Sequence, residues 1–275
     1  MWFAMALYSG ATVLYAYHFL SKRASFSWYA TFLTGAGFIL QTASIGLHSS
    51  STEGSRLYGP YSIVLAAWAL VLVYFVVEHL VRLKVYGVVL VPAALLLLLA
   101  AQILGASASA VKPNPEELAL LDSWRVGVHV ALIVFANAGF AIGAAASAAY
   151  LGLELQLKKH RTSTLFKRLP SLAQTDLVAR RAISFSFPAY TAGLMLGVLR
   201  ALETDVAGWW ADPRVMVSGI VFAIFGFYLY LHYGRGASGR STALVAVFGF
   251  VFVVALSIIA RTVPAGFHVF AVPGQ

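Results

Sequence analysis

The chain has 275 residues, of which 60% are hydrophobic and only 11% are charged. Soluble globular domains carry about a quarter charged residues, so this composition excludes an ordinary soluble globule. The absence of cysteine excludes disulfides, thiolate metal ligands and thiol redox chemistry by the protein itself.

Eight apolar runs follow one another along the chain, and about 20 apolar residues suffice for a helix to cross the hydrocarbon core of a bilayer. We predict helices at about 2–20, 29–49, 58–82, 85–106, 124–156, 182–202, 215–234 and 241–262. The predicted fold class is therefore all-α, a polytopic membrane protein with eight transmembrane helices. The first run lacks a basic start and a small-residue cleavage site, so we expect a retained helix. No internal repeat or second domain is evident, which predicts one transmembrane domain over 1–275.

Basic residues concentrate in every second loop between these helices. The loops at 21–28, 83–84, 157–181 and 235–240, with the helix ends beside them, hold 13 of the 19 Lys and Arg residues. By the positive-inside rule these loops are cytoplasmic and both termini lie outside. The net charge of +9 is thus explained by membrane orientation, with no need for a nucleic-acid partner. The predicted location is a bacterial-type inner membrane.

Small residues crowd the fifth predicted helix between 136 and 147. Such a surface lets two helices approach closely, and ordinary helix packing is the favoured interpretation.

A polar interruption at 203–214 separates the sixth and seventh predicted helices on the outer side. It contains two adjacent tryptophans, Trp209 and Trp210, followed by Asp212 and Pro213. Indole rings beside a polar turn are typical of a membrane–water boundary, which favours a simple anchor. Two tandem rings would also form a flat platform for a planar ligand. Asp before Pro predicts a fixed turn, because Asp bonds nearby backbone N–H groups and Pro presets φ.

Two outer histidines, His129 and His268, flank this loop in the sequence. Neutral imidazole suits iron, and a pair approaching from opposite sides would form a bis-His axial set for heme. The alternative is that each simply hydrogen-bonds at the headgroup level. His232 lies at the inner end of the seventh helix among tyrosines, where an interfacial aromatic girdle is the ordinary interpretation.

Signatures of other functions do not occur in the sequence. We find no Ser–His–Asp set, phosphate loop, HExxH, dinucleotide fingerprint or arginine-rich nucleic-acid patch. Glu78 and Glu154 lie near inner helix ends, whereas a proton-relay transporter places acids nearer the midplane. No catalytic residue is assigned.

From Leu165 to the end, the sequence resembles the cytochrome c assembly, heme-handling membrane proteins (the CcsA/CcmC group with its HemX-like relatives). The matching segments come in the family's order, at 169–172, 187–193 with Gly197, 209–213, 230–235 and 266–268. The start of the fifth helix at His129 also fits, and the N-terminal part resembles the family more loosely. Two features depart from the family pattern. The Trp-containing loop is shorter than the family's and has fewer Trp residues, and Arg214 follows Asp-Pro where the family usually has an acid or Lys. The outer segment at 58–62, before the third helix, lacks the acidic residue of the family pattern.

The resemblance implies heme as the cofactor handled. Carried over by motif, the family's roles fall on Trp209, Trp210 and Asp212 as an outer heme-holding loop, on His129 and His268 as ligands of the heme iron, and on His232 in heme entry.

The function that the resemblance implies is presentation of heme at the outer face for attachment to an apocytochrome c. The expected partners are heme, apocytochrome c, a second cytochrome c assembly membrane protein and the lipid bilayer. The absence of cysteine from this chain is consistent with that function, because the thioether sulfurs come from the apocytochrome. Membership in a lyase-type attachment system is left open. Two alternatives also stay open: a HemX-like membrane regulator of heme synthesis, and a structural subunit that kept the fold without heme delivery.

Overall fold

The computed structural model describes residues 1–21, 24–51, 61–81, 84–107, 123–159, 170–205 and 207–262. These ranges form eight α-helices and contain no strand, which confirms the all-α prediction for the described part of the chain. The helices are α1 (Trp2–Ser21), α2 (Ala24–Ser51), α3 (Tyr61–Val81), α4 (Gly87–Ser107), α5 (Trp124–Lys158), α6 (Leu172–Glu203), α7 (Pro213–Leu229) and α8 (Arg240–Thr262). Short 3₁₀ turns at Lys84–Tyr86 and Trp209–Ala211 and a π-helical turn at Tyr230–Gly234 complete them.

Six segments within the described ranges are long and apolar enough to cross a membrane. They are Ser25–His48, Tyr61–His79, Trp124–Lys158, Leu172–Glu203, Pro213–Gly234 and Arg240–Ala260, and Gly87–Ile103 is a shorter apolar helix. The chain is thus a multi-pass membrane protein. Eight spans and outward-facing termini stay predictions.

Helix α6 begins about ten residues earlier than the apolar pattern predicts, at Leu172 instead of 182. The cause is a capping box, in which Ser171 Oγ accepts from the backbone N–H of Gln174 at 3.3 Å and Gln174 Oε1 accepts from the N–H of Ser171 at 3.1 Å. These bonds satisfy N–H groups that a helix start leaves without intrahelical partners. The predicted cytoplasmic loop at 157–181 was therefore too long, because hydropathy detects only the apolar part of this helix.

The chain forms two compact units. The first comprises Met1–Ala110 with Lys167–Pro170, and the second comprises Val111–Phe166 with Ser171–Gln275. A single domain over 1–275 stays a prediction.

The first unit packs α1 against α2 and α4, and α3 against α4. Its core holds three fully buried tyrosines, Tyr8, Tyr15 and Tyr74. The Tyr8 hydroxyl donates to Gln41 Oε1 at 2.8 Å, and the hydroxyls of Tyr15 and Tyr74 lie 2.6 Å apart. These bonds satisfy polar groups that would be costly to bury without partners.

The second unit is built on α5 and α6, with α8 packed against α5 and α7. A Cβ atom at Gly143 would lie 2.6 Å from Cγ1 of Ile183, and one at Gly139 would overlap Ser186. The close contact predicted from the small residues of α5 is therefore confirmed. Contacts move toward the start of α6 as they move toward the end of α5, so the two helices run antiparallel.

Candidate functional site

The antiparallel pairing brings the first turns of α5 beside the last turns of α6. Arg125 and His129 on α5 contact Glu203 and Gly193 on α6, respectively. The loop that carries Trp209 and Trp210 follows directly after α6. The start of α5 therefore lies at the same end of the second unit as the end of α6 and the Trp loop, although it is far from both in the sequence.

His129 is held by the backbone of α6. Its Nδ1 atom lies 2.6 Å from the carbonyl oxygen of Gly193. A carbonyl oxygen can only accept, so Nδ1 carries the hydrogen and donates. In a neutral ring with this hydrogen bond, the lone pair is on Nε2. A hydrogen bond of this kind orients most metal-ligating histidines and fixes their tautomer.

Gly197 provides the space in which the His129 ring lies. A Cβ atom at this position would come 2.7 Å from Cε1 and 2.9 Å from Nδ1 of the imidazole. At Gly193, one turn earlier, a Cβ atom would come 3.0 Å from Cδ1 of Ile133. The two glycines form a groove in α6 that receives α5. Their four-residue spacing is the small-residue signal of close helix approach, although sequence reasoning gave them no role.

The Trp loop is compact. Helix α6 ends at Glu203, after which Asp205 and Gly208 adopt positive φ angles of 47° and 67°. The 3₁₀ turn of Trp209–Ala211 follows. Trp209 is half-buried, whereas Trp210 is 69% exposed. The two indoles therefore lie in different environments, and only Trp210 offers most of its surface to a ligand or to the headgroup region.

Asp212 is the N-cap of α7. Its Oδ1 accepts from the backbone N–H groups of Arg214 at 2.8 Å and Val215 at 3.3 Å, and Pro213 occupies the first helical position. The carboxylate is only 2% exposed and lies at the positive end of the helix dipole. The fixed turn predicted from Asp-Pro is confirmed. Contact between Asp212 and heme stays a prediction.

Charged side chains connect α5 to the end of α6. Arg125 forms an ion pair with Glu203, and Nη1 of Arg200 lies 3.9 Å from the second oxygen of the same carboxylate. The guanidinium of Arg125 also lies 5.7 Å from the ring centre of Trp124, within range of a cation–π contact. The sequence analysis assigned these residues no function.

Comparison with known proteins identifies the family. The profile described as Cytochrome C assembly protein matches residues 55–268, more than half of the chain. The chain belongs to this family. The predicted resemblance is thereby confirmed, and family membership supports a role in cytochrome c biogenesis.

Individual relatives agree with this membership in the cytochrome c assembly family. The chain is 28% identical over 239 residues to cytochrome c biogenesis protein CcsA of Prochlorococcus marinus, covering 78% of this chain and 74% of the relative. It is 28% identical over 264 residues to the protein of the same name from Chlorella vulgaris, covering 84% and 82%. Protein HemX of Brevibacillus brevis is 32% identical over 114 residues, 42% of each chain. No solved structure matches the chain.

In this cytochrome c assembly protein, His232 lies far from His129. It sits in the π-helical turn at the end of α7 opposite the Trp loop, and the 17 residues of α7 span about 25 Å. Its ring is parallel to that of Tyr228, with centroids 6.4 Å apart. Nδ1 is buried and has no hydrogen-bond partner in the described part of the chain. π-Helical turns often mark functional positions, and an unsatisfied buried nitrogen calls for a ligand or a bound water.

His268, the second predicted axial ligand, lies outside the described residues. Within them, no group of three or more His, Cys, Asp or Glu side chains could hold a bare metal ion. A porphyrin supplies its own equatorial nitrogens, so a site for heme does not need such a group. Ligation of heme iron by His129 stays a prediction.

Proposed function

We propose that this protein binds heme at the end of its second unit that carries the Trp loop, and presents it for attachment to an apocytochrome c. The hydrogen bond between His129 and Gly193 is the observation that carries this proposal. It holds an imidazole in the tautomer that places a lone pair on Nε2, at the same end as Trp209 and Trp210. Family membership supplies the chemical context, and the names of the CcsA relatives point in the same direction.

Each side chain then has a distinct task. His129 and His268 would hold the heme iron, and the Trp loop would contact the porphyrin. Asp212 keeps the loop in place by capping α7. The incoming apocytochrome would supply its own thiols and its own histidine ligand for the iron. The protein contributes proximity and orientation, which alone lower barriers substantially when reacting groups are held in contact.

We assign His232 to heme entry at the opposite end of the second unit. Its buried, unpartnered Nδ1 supports this assignment, because a neutral imidazole nitrogen is a good donor to iron. The proposal also includes eight spans in a bacterial-type inner membrane with both termini outside. It further includes a second cytochrome c assembly membrane protein as partner.

A regulatory function is the second candidate. The local identity to Protein HemX is the observation behind this candidate, a HemX-like membrane regulator of heme synthesis that does not deliver heme. A structural subunit without heme is the third possibility.

Two measurements separate these functions. An absorbance spectrum of the purified protein with a low-spin, bis-His Soret band would exclude the structural subunit. Loss of mature cytochrome c on deletion would then favour delivery, whereas intact cytochrome c with altered heme levels would favour regulation.

A further inference from the structure

We propose that Arg125 and Arg200 form a carboxylate-binding subsite for the propionates of the porphyrin, and that Glu203 is the internal carboxylate that competes for it. This inference rests on the proposed heme-binding function and names the groups that recognise the polar edge of the ligand. Neither the motifs of the family resemblance nor its implied roles include these three residues.

The two functional groups of α5 share one face. Arg125 and His129 are four residues apart, about 6 Å along the helix axis, and both point toward α6. On α6, Arg200 follows Gly197 by three residues, so it continues the face on which the imidazole lies. A ligand whose iron is held by His129 would therefore have its polar edge within reach of one or both guanidiniums.

Glu203 occupies the position beside Arg125 that a ligand carboxylate would take. Two guanidiniums contact the single carboxylate of Glu203. The Arg125 and Glu203 side chains are 38% and 40% exposed, so the pair is accessible from outside and is not a sealed core contact. Exposed ion pairs contribute little to stability, so Glu203 can be displaced at small cost. Guanidinium binds carboxylate through two parallel N–H···O bonds, and a propionate can replace Glu203 or join it.

The first test needs no variant. Purified full-length protein in detergent is titrated with hemin and with hemin dimethyl ester, in which both carboxylates are esterified while iron and ring are unchanged. We expect the protein to bind hemin at least about tenfold more tightly, the effect of one charge-assisted contact. Equal affinity for the two compounds would overturn the subsite.

Two opposite substitutions give the second test. Arg125→Gln should weaken hemin binding about tenfold and leave the ester nearly unaffected, so that the preference for hemin is lost. Glu203→Gln removes the competing carboxylate and should strengthen hemin binding several-fold without affecting the ester. A purely structural ion pair predicts the contrary result, in which both substitutions weaken hemin and ester alike.

A matched control and a separate readout complete the design. Arg181→Gln removes an exposed arginine from the same helix as Arg200, about 28 Å away along the axis, and should change neither affinity. His129→Ala tests the proposed function itself. If hemin and its ester bind equally and both Soret spectra depend on His129, heme binding stands and the subsite fails. If neither compound gives a spectrum that depends on His129, the heme site itself is wrong and the subsite is refuted with it.

Discussion

The Nδ1 atom of His129 lies 2.6 Å from the carbonyl oxygen of Gly193, so a side chain of α5 is oriented by the backbone of α6. Because a backbone carbonyl cannot be removed by substitution, this orientation depends on how closely the two helices approach. The residue that controls that approach beside the ring is Gly197.

Gly197→Ala should displace His129. The new Cβ would come 2.7 Å from Cε1 of the imidazole, and the interior of a packed helix pair accommodates such overlap at a cost of about 1–3 kcal/mol. We expect lower heme occupancy in the purified protein. We also expect a change in the wavelength of the Soret band that indicates a weaker or missing axial bond. Gly219→Ala on α7 is the control, since an added Cβ there would meet nothing within 4 Å beyond its own stretch of helix. A wild-type spectrum in well-folded Gly197→Ala protein would contradict the assignment of His129 as ligand.

His129→Ala should reduce heme retention, and added imidazole should partly restore it by filling the open coordination position. His268→Ala should behave in the same way if the two histidines are the axial pair. The measurements are heme content per protein and the Soret spectrum with and without imidazole. If the double variant keeps wild-type heme content and spectrum, both histidines are merely interfacial.

The parts of this molecule that follow from local patterns could be predicted, and those that depend on pairing between helices could not. The Asp212 cap follows from two adjacent residues whose backbone preferences are strong, and the structure has it as predicted. The start of α6 was missed because Ser171 and Gln174 form a polar cap, and apolar periodicity carries no information about polar helical turns. The ion pair of Arg125 with Glu203 joins residues 78 positions apart, so nothing local indicates it.

The topology prediction is tested with reporter fusions. Reporters placed after Gln275 and within 107–123 should read outside, and one within 157–169 should read inside, because basic residues concentrate in the latter segment. An outside signal from 157–169 would overturn the assignment of the His129 end to the outer face.

Two substitutions at Asp212 distinguish a capping role from a ligand-binding role. Asn is as good an N-cap as Asp, whereas Ala loses the bonds to Arg214 and Val215 at a cost of about 0.5–2 kcal/mol. Thermal unfolding in detergent should therefore show Asp212→Asn close to wild type and Asp212→Ala destabilised. Heme content should follow the same order, because the cap holds the loop. Loss of heme in a stable Asp212→Asn protein would instead indicate that the charge itself contacts the ligand.

The Trp loop gives the most demanding prediction, because its two indoles differ in exposure. Trp210 is 69% exposed, so Trp210→Ala should leave thermal stability nearly unchanged. If it stacks on the porphyrin, the substitution should weaken heme binding about fivefold, which corresponds to about 1 kcal/mol of aromatic contact. Trp210→Phe should cost less, since an aromatic face remains. Trp209 is half-buried, so Trp209→Ala should lower both stability and heme content.

The control for this series is Trp2→Ala in the first unit, where the indole is 70% exposed and distant in sequence from the loop. It removes a similar exposed surface, so any general effect of losing an exposed indole should appear there as reduced expression with unchanged heme content per protein. If Trp210→Ala behaves like Trp2→Ala, and Phe and Ala at position 210 do not differ in heme content, the loop is a membrane anchor. If well-folded Trp209→Ala protein also keeps its heme content, the proposal that the Trp loop is a porphyrin platform is refuted. A Trp210→Ala protein that is stable, well expressed and specifically poor in heme is the outcome that a porphyrin platform requires, because only a ligand contact separates heme content from folding.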